Sequence, residues 1–404
     1  MPRLLLVLFV CVLNVAVSAA ETLDYKIELT TATKLFDGKV SWCHPRAGAI
    51  PPGAVGNPSD KPIVVMTLQH ILLSASDVFY CLNQMRTEDL GKTWSAPTPI
   101  AGFERRPYKD KYEITVCDFT PRFHAASGRL LGTGHTVMYE NNKILEYRPR
   151  DTAYSIYDAV KKTWSPWQSL TMPNDPKFAC AGAGSTQRLD LPNGDILLPI
   201  YFKRLKAKQY ASTVVRCRLE GETLKYVEHG SELTIDVQRG LFEPSITQFK
   251  GKFYLTMRND VRGYVSVSND GLKYSEPKAW TWDDGSDLGT YNTQQHWVAH
   301  SDALFLVYTR KGAKNDHVFR HRAPLFIAQI DPEKLCVIRA TEKELMPNRG
   351  ARLGNFAITE VSANETWVTD AEWMQPKGVE KHGADGSVWV SKIHWSKPNG
   401  LMKP

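Results

Sequence analysis

The chain of 404 residues contains seven cysteines, but no two of them form a Cys-x-x-Cys pair. That spacing is typical of zinc clusters and dithiol redox sites, so the sequence favours neither. Six of the cysteines lie beyond residue 20: Cys43, Cys81, Cys117, Cys180, Cys217 and Cys336. Their scattered positions leave open whether they form disulfides or remain buried thiols. No other metal-ligand spacing is convincing, so we expect no metal and no cofactor.

Long amphipathic helical patterns, Gly/Ser-rich or Pro-rich linkers and low-complexity blocks are also missing. Short strand patterns, broken by Gly, Pro, Asn and Asp, run from about residue 30 to the end. The hydrophobic content of 42% is ample for a large core. The sequence therefore predicts a single all-β domain over residues 21–404.

Basic runs and nucleic-acid-binding motifs are absent, although the formal net charge is +7. The charged residues are dispersed along the chain, which argues against DNA or RNA as a partner. A local basic cleft for an anionic ligand stays open, because net charge says nothing about where arginines gather in the fold.

One apolar run stands out, at the N-terminus. Arg3 precedes the apolar residues Leu4 to Val17, and Ser18-Ala19-Ala20 offers small residues for cleavage. This order is typical of a signal peptide, and the run is short for a membrane span. We expect residues 1–20 to be a signal peptide and the protein to be secreted or periplasmic.

A tight turn followed by an apolar strand recurs along the chain. Four such turns are centred on Gly128, Gly194, Gly251 and Asp302. They are separated by 66, 57 and 51 residues. This period matches one four-stranded propeller blade with its loops.

A second repeat is the turn Thr87-Glu88-Asp89-Leu90-Gly91-Lys92-Thr93-Trp94. Shorter forms lie at residues 268–277 and 158–166. Asp and Gly supply the turn chemistry, and the Trp anchors the hairpin. The turn resembles the Asp box of the sialidase superfamily. That resemblance implies a sialidase-like β-propeller of six blades, or of seven, in which Trp94 and Trp164 are buried.

The resemblance to sialidases also implies a site. Sialidases bind a sugar carboxylate with three arginines, and Arg46, Arg258 and Arg322 are the residues that best match them. Asp77 occupies the kind of place that holds the acid/base Asp. Glu243 opens one strand and Arg258 ends the next, as in the sialidase pattern. Arg320 and Arg322 alternate with a histidine, so both should point to one face if this segment is extended.

The chain departs from the family where the nucleophile is expected. Sialidases place a nucleophilic Tyr after the third arginine, but this sequence has no Tyr after Tyr308. Either Tyr291 fills that role from another blade, beside Glu243, or the chemistry differs.

Histidines favour a different chemistry. His44, His124, His135, His296 and His317 lie at strand ends or in loops. Histidine is the natural general base near neutral pH, so we take His135 and His296 as catalytic candidates and the other three as substrate-binding candidates. This richness in His and Arg is similar to that of propellers that are uronate-directed polysaccharide lyases or a rhamnosidase-type hydrolase.

The sequence therefore carries three functional hypotheses. The first is a sialidase-like glycoside hydrolase that acts on a terminal anionic sugar of a glycan. The second is a uronate-directed polysaccharide lyase or a His-dependent glycosidase on the same propeller. The third is a non-catalytic glycan-binding propeller. In each case the expected partner is a glycan with a carboxylated sugar.

Overall fold

The computed structural model describes residues 22–75, 77–109 and 111–402. The predicted signal peptide lies outside these ranges and stays a prediction. The described residues form an all-β fold. Its helical segments are four short 3-10 turns: Pro176–Phe178, Phe319–His321, Arg339–Thr341 and Val379–His382. Within the described ranges, no helix has the length and apolar character needed to cross a membrane.

The strands are numbered along the chain. The first strand is β1 (Tyr25–Lys34). The first sheet comprises β2 (Val40–Ile50), β3 (Ile63–Leu72), β4 (Phe79–Thr87) and β5 (Thr98–Pro99). The second sheet comprises β6 (Arg106–Tyr108), β7 (Tyr112–His124), β8 (Arg129–Glu140), β9 (Lys143–Ile144), β10 (Thr152–Asp158), β11 (Thr163–Trp164) and β12 (Gln168–Ser169).

The remaining strands continue in the same order. The third sheet comprises β13 (Cys180–Gly182), β14 (Leu189–Asp190), β15 (Asp195–Lys203), β16 (Ala211–Glu220) and β17 (Thr223–His229). The fourth comprises β18 (Phe242–Phe249), β19 (Lys252–Arg258), β20 (Tyr264–Ser268) and β21 (Lys278–Ala279). The fifth comprises β22 (His296–Ala299), β23 (Leu304–Tyr308), β24 (Leu325–Asp331), β25 (Cys336–Val337) and β26 (Lys343–Met346). The last strands are β27 (Ala357–Ser362), β28 (Glu365–Ala371) and β29 (Ser387–Trp395).

The sheets are arranged as a β-propeller of five blades, which corrects the expected six or seven. Each of the five sheets just described is built from strands that are consecutive in the chain. A further sheet combines both ends of the described chain, in the order β1-β29-β28-β27. Its strand β27 contacts both β2 and β22, so this sheet closes the ring between the fifth blade and the first.

The predicted turn positions are confirmed by the strand bounds. Strand β8 begins at the residue after Gly128, β15 at the residue after Gly194, and β19 at the residue after Gly251. Strand β23 begins two residues after Asp302. Gly194 and Gly251 have φ of 85° and 80°, a conformation that favours glycine. These turns therefore set where each strand starts.

The two tryptophans that were expected to be buried differ in their surroundings. Trp164 is buried between the first and second blades, where its Nε1–H donates to Gln84 at 3.1 Å and its ring packs on Phe119. Trp94 is only half-buried and packs on Trp367 of the closing sheet. The expectation of burial is confirmed for Trp164 and is wrong for Trp94, because the Trp94 turn lies at the outer edge of its blade.

All six cysteines beyond residue 20 are free thiols, and five of them are buried. Burial raises the pKa of the Cys217 thiol to about 12. The closed ring and its large core hold this fold together without a covalent link between the described cysteines.

The different burial of the two tryptophans predicts different losses of stability. Trp164→Ala leaves a cavity between two blades, so we expect it to lower the free energy of unfolding by about 3–5 kcal/mol. Trp94→Ala removes a ring that is half in water, so we expect a loss of about 1–2 kcal/mol. Urea unfolding of both variants measures the difference, and equal losses would contradict the assignment.

Candidate active site

A cavity of about 580 Å³ lies where the inner strands of the sheets converge. Every blade contributes to its lining, and so does the loop Leu353–Phe356 that precedes β27. Six of the residues predicted from the sequence line it: His44, Asp77, His135, Glu243, Arg258 and Arg322. The fold therefore gathers residues from positions that are almost 280 apart in the chain.

Three of the lining residues sit in β-bulges at the same place in their blades. His44, Asp118 and Glu243 have φ of 51°, 54° and 48°, which is rare for residues other than glycine. At each position the pairing register with the neighbouring strand shifts. A bulge re-aims a side chain, and such strain is common at functional sites. In this protein the bulges turn three polar side chains toward the cavity.

The Asp118 carboxylate is the hub of the cavity floor. It accepts hydrogen bonds from Arg46 Nη2 at 3.1 Å and from the Ser185 hydroxyl. His44 Nε2 lies 3.5 Å from Oδ1, and His135 Nε2 lies 3.7 Å from Oδ2. Burial alone would raise the pKa of Asp118, but His44, Arg46 and His135 outweigh burial and hold the pKa well below its usual value. Asp118 is therefore an anion, and no motif in the sequence pointed to it.

Arg46 does not line the cavity, which corrects its expected role in binding a substrate carboxylate. Its side chain is fully buried beneath the floor. Besides Asp118 and Ser185, its guanidinium donates to Thr120 at 3.2 Å and to Gln294 at 3.4 Å. Arg46 thus holds Asp118 in place from beneath the cavity floor.

Tyr201 is a further lining residue that sequence reasoning missed. Its hydroxyl lies 3.3 Å from His135 Nδ1 and accepts a hydrogen bond from Arg150 Nη1 at 2.5 Å. Because Asp118 faces the other nitrogen of His135, the three residues form a chain from carboxylate to imidazole to phenol. Tyr201 lies among apolar residues in β15, so its sequence context is that of a tyrosine in the hydrophobic core.

The protonation states of this chain follow from burial. Burial, reinforced by the nearby Arg150, lowers the pKa of His135 to about 3. Burial also lowers the pKa of His44. The pKa of the Tyr201 phenol is raised well above its ordinary value by burial, although Arg150 opposes the shift. At neutral pH the imidazole can accept a proton and the phenol can donate one.

The carboxylates of the cavity are all paired with arginines. Glu243 receives two contacts of 2.7 Å from Arg258 Nη1, as the predicted hairpin requires. Asp77 accepts from Arg148 Nη2 at 2.9 Å, and this arginine lowers the pKa of Asp77 against the effect of burial. Since Asp77 and Asp118 are held as anions, neither is poised to donate a proton to a leaving group.

Besides Arg150, which bonds Tyr201, three arginines of the cavity have no carboxylate partner among the described residues: Arg320, Arg322 and Arg352. Arg322 donates to the backbone carbonyl of Asn292, and Arg352 donates to Gln375 at 2.6 Å while lying over the ring of Trp373. Burial and the neighbouring Arg320 lower the pKa of Arg352 to about 10. The three guanidinium groups thus repel one another, and an anion bound between them would relieve that repulsion.

The segment that holds Arg320 and Arg322 is not extended, so the condition for their expected alternation along a strand is not met. Residues Phe319–His321 form a 3-10 turn in which Arg320 and His321 are left-handed, with φ of 60° and 53°. Both arginines nevertheless line the cavity. The turn, rather than a strand face, brings them together.

Besides Arg46, four predicted residues do not line the cavity. The Tyr291 hydroxyl is bonded to His321 Nδ1 at 2.6 Å and has no hydrogen bond to Glu243. His124 is bonded to Ser127 and to the carbonyl of Gly194, and the buried His296 is bonded to Ser245 at 2.7 Å. His317 is exposed and contacts Asn348. These four side chains therefore have no direct contact with the cavity, and their expected catalytic or binding roles stay predictions.

Cys117, Asp118 and His135 place one potential metal-ligand atom each within 4.8 Å of one another. The charges around them fit a cation poorly. Arg46 already binds Asp118, and eight arginine and lysine side chains but only three carboxylates line the cavity. Like charges disfavour a bound metal ion here, so we assign Asp118 and His135 to proton chemistry.

Comparisons with known proteins bear on the fold. No protein-family model matches the sequence, and no curated protein matches it either. Solved structures do match. The NanB sialidase from Streptococcus pneumoniae is 12% identical, with a TM-score of 0.60 over 90% of this chain and 70% of that chain. The Trypanosoma rangeli sialidase in complex with sialic acid is 12% identical, with a TM-score of 0.57 over 92% of this chain.

A protein of unknown function from Dyadobacter fermentans is 13% identical, with a TM-score of 0.56 over 91% of this chain and 99% of that chain. By contrast, the present chain spans only 59% of the Trypanosoma sialidase chain. At such low identity these likenesses show a sialidase-like β-propeller fold. The likeness to these structures does not extend to an activity, which depends on the residues that line the cavity.

The buried pair of Arg46 and Asp118 generates a stability prediction. Arg46→Met leaves a buried carboxylate without its main cation, so we expect the free energy of unfolding to fall by about 3–5 kcal/mol. Adding Asp118→Asn removes the stranded charge and should restore part of that loss. The control is Arg129→Met, which breaks an exposed pair with Glu222 and should cost less than about 1 kcal/mol. Urea unfolding of the four proteins tests this, and a double variant less stable than Arg46→Met alone would contradict it.

Proposed function

We propose that this protein is a glycan-directed enzyme that cleaves beside a carboxylated sugar by β-elimination, with His135 and Tyr201 as its base and acid. The observation that carries the proposal is the chain from Asp118 through His135 to Tyr201, which lies in a cavity with unpaired arginines. This is the lyase among the hypotheses raised from the sequence.

The substrate carboxylate binds between Arg320, Arg322 and Arg352. Guanidinium groups match a carboxylate in shape and charge, and these three have no acid of their own in the described structure. Arg46 and Arg258, which were expected in this role, are already neutralised by Asp118 and Glu243. The excess of cations in the cavity favours an anionic sugar over a neutral one.

The reaction needs one proton acceptor and one proton donor. His135 removes the proton on the carbon that bears the carboxylate, and the electron pair of that C–H bond forms the new alkene. The bond from the adjacent carbon to the glycosidic oxygen breaks, and Tyr201 protonates the departing oxygen. The arginines stabilise the negative charge that develops on the carboxylate. A bound carboxylate also offsets the charge of Arg150, which strengthens His135 as a base.

A sialidase-like hydrolase is the second candidate. It is favoured by the likeness of the fold to sialidases and by Glu243, which lines the same cavity as Tyr201. It is disfavoured because Glu243 is held by Arg258 and makes no hydrogen bond to a described tyrosine. Hydrolysis by the sialidase route also needs a carboxylic acid for the leaving oxygen, and each cavity carboxylate is paired with an arginine.

We infer further that the enzyme acts outside the cytoplasm, where glycans with carboxylated sugars occur. This inference rests on the signal-like sequence of residues 1–20. N-terminal sequencing of the protein from the medium or periplasm should begin near Glu21.

The reaction type is tested on a panel of uronate-containing and sialylated oligosaccharides. Elimination creates a conjugated alkene that absorbs ultraviolet light and also releases a reducing end. Hydrolysis releases a reducing end or free sialic acid without new absorbance. Hydrolysis alone would overturn the elimination proposal, and binding without product would favour a glycan-binding protein.

Tyr201 provides the sharpest mutational test. Tyr201→Phe removes the proton donor, so we expect kcat to fall by about 100-fold or more while KM changes little. The matched control is Tyr226→Phe, because Tyr226 also bonds a histidine, His229 at 2.7 Å, in the same sheet but outside the cavity. Near-normal turnover by Tyr201→Phe would exclude Tyr201 as the acid.

The pKa of His135 predicts the acid side of the pH profile. Protonated His135 cannot act as a base, so activity is lost as the pH falls through the pKa of this residue. Since that pKa is lowered to about 3, we expect kcat/KM to stay level through pH 6.5, the ordinary histidine value. Arg150→Met removes a cation that lowers this pKa and should move the acid limb to higher pH. An acid limb centred on pH 6.5 in the wild-type enzyme would contradict the role of His135.

A further inference from the structure

Arg320 reaches the cavity from a strained segment of the chain. Arg320 and His321 are consecutive left-handed residues, and neither is glycine. Each such residue costs free energy, and the conformation persists only when surrounding contacts enforce it. The contacts that enforce the left-handed conformation of Arg320 and His321 therefore indicate which group the segment positions.

Asn315 fixes the backbone of the segment. Its side chain is fully buried, and its amide group donates to the carbonyls of Arg310, His321 and Ala323 at 2.9, 3.2 and 2.7 Å. Three carbonyls on both sides of the turn are thus tied to one point. A loop that merely connects two strands does not need this degree of restraint.

The side chain of His321 is held at both of its nitrogens. Nδ1 is bonded to the Tyr291 hydroxyl at 2.6 Å, and Nε2 lies 3.2 Å from Asp316 Oδ1. Tyr291 comes from the loop before β22, whereas the other two residues belong to the loop between β23 and β24. The pair of Tyr291 and His321 therefore ties the strained turn to a neighbouring loop.

The residue that this arrangement presents is Arg320. Within the described ranges its guanidinium has no ion pair and no hydrogen bond, and its closest ring contact is Phe319 at 5.0 Å. Burial and the nearby Arg258 lower its pKa. A rigid backbone thus carries a guanidinium group whose donors are all free.

We propose that Tyr291, His321 and Asp316 form a positioning chain that fixes Arg320 for contact with the carboxylate of the substrate. This inference rests on the proposed function, because it assigns a role within the same carboxylate site. Tyr291 acts through Arg320 and is a positioning residue, which replaces the nucleophilic role expected from the sequence.

The experiment measures binding rather than turnover, with glucuronic acid and N-acetylneuraminic acid as probes and glucose as the uncharged control, by calorimetric titration. Arg320→Gln should raise the Kd of the acid that binds by about tenfold. Tyr291→Phe should raise it by about three- to fivefold. In the Arg320→Gln background, Tyr291→Phe should have no further effect, because its influence passes through Arg320.

Two substitutions of His321 separate positioning from general stability. His321→Val disfavours the left-handed conformation and breaks both hydrogen bonds, so the Kd should rise as much as in Arg320→Gln. His321→Asn tolerates that conformation and keeps a hydrogen-bonding group, so it should bind almost as the wild type does. The urea midpoint of each variant verifies that it is folded.

The outcomes distinguish this inference from the proposed function. Arg322→Gln tests the carboxylate site itself, and unchanged binding in that variant would overturn both. If Arg322→Gln weakens binding but the effects of Tyr291→Phe and Arg320→Gln are additive, the positioning chain is wrong and the proposed function stands. Loss of kcat in Tyr291→Phe with unchanged probe binding would likewise overturn the chain.

Discussion

The site depends on the buried ion pair between Arg46 and Asp118. A carboxylate this far from water is costly unless cations and donors surround it. Arg46 and Ser185 donate hydrogen bonds to the Asp118 carboxylate from beneath the cavity floor. His44 and His135 lie close to the same carboxylate and line the cavity. Because Arg46 also bonds Gln294 near the fifth blade, the same guanidinium ties the first, second and fifth blades together at the axis. The Arg46 guanidinium therefore contributes both to the closure of the ring and to the placement of the carboxylate that faces His135.

The propeller brings polar side chains to its axis through a repeated backbone device. The inner strands of three blades carry a bulge with a left-handed residue, at His44, Asp118 and Glu243. An unbroken strand alternates its side chains between the two faces of the sheet. The bulge breaks this alternation, so a residue within an inner strand can face the central cavity. The strain is tolerated because the neighbouring strands β3, β8 and β19 are largely buried.

Fold and chemistry separate in this protein. The overall architecture is similar to that of sialidases, yet the groups that would carry sialidase chemistry are differently engaged. Glu243 is occupied by Arg258, and the tyrosine of the cavity is bonded to a histidine and an arginine. One propeller fold can support several kinds of glycan chemistry, because the residues that face the central cavity can differ between proteins while the blades keep the same fold.

The order of residue types was enough to predict the strand-rich fold, the turn positions and the hairpin that brings Glu243 and Arg258 to one end of a blade, because tight turns and hairpins are local and their residue types reflect backbone conformation directly. It did not determine which arginines are free or which tyrosine meets a histidine. From the sequence, Arg46 was expected to bind a ligand, but its partner is the Asp118 carboxylate, 72 positions away. Tyr201 has the sequence context of a core residue, but its hydroxyl meets His135. The blade count and the closing sheet also depend on pairings between the ends of the chain. Only tertiary structure decides these, since charge neutralisation and burial depend on neighbours that are distant in sequence.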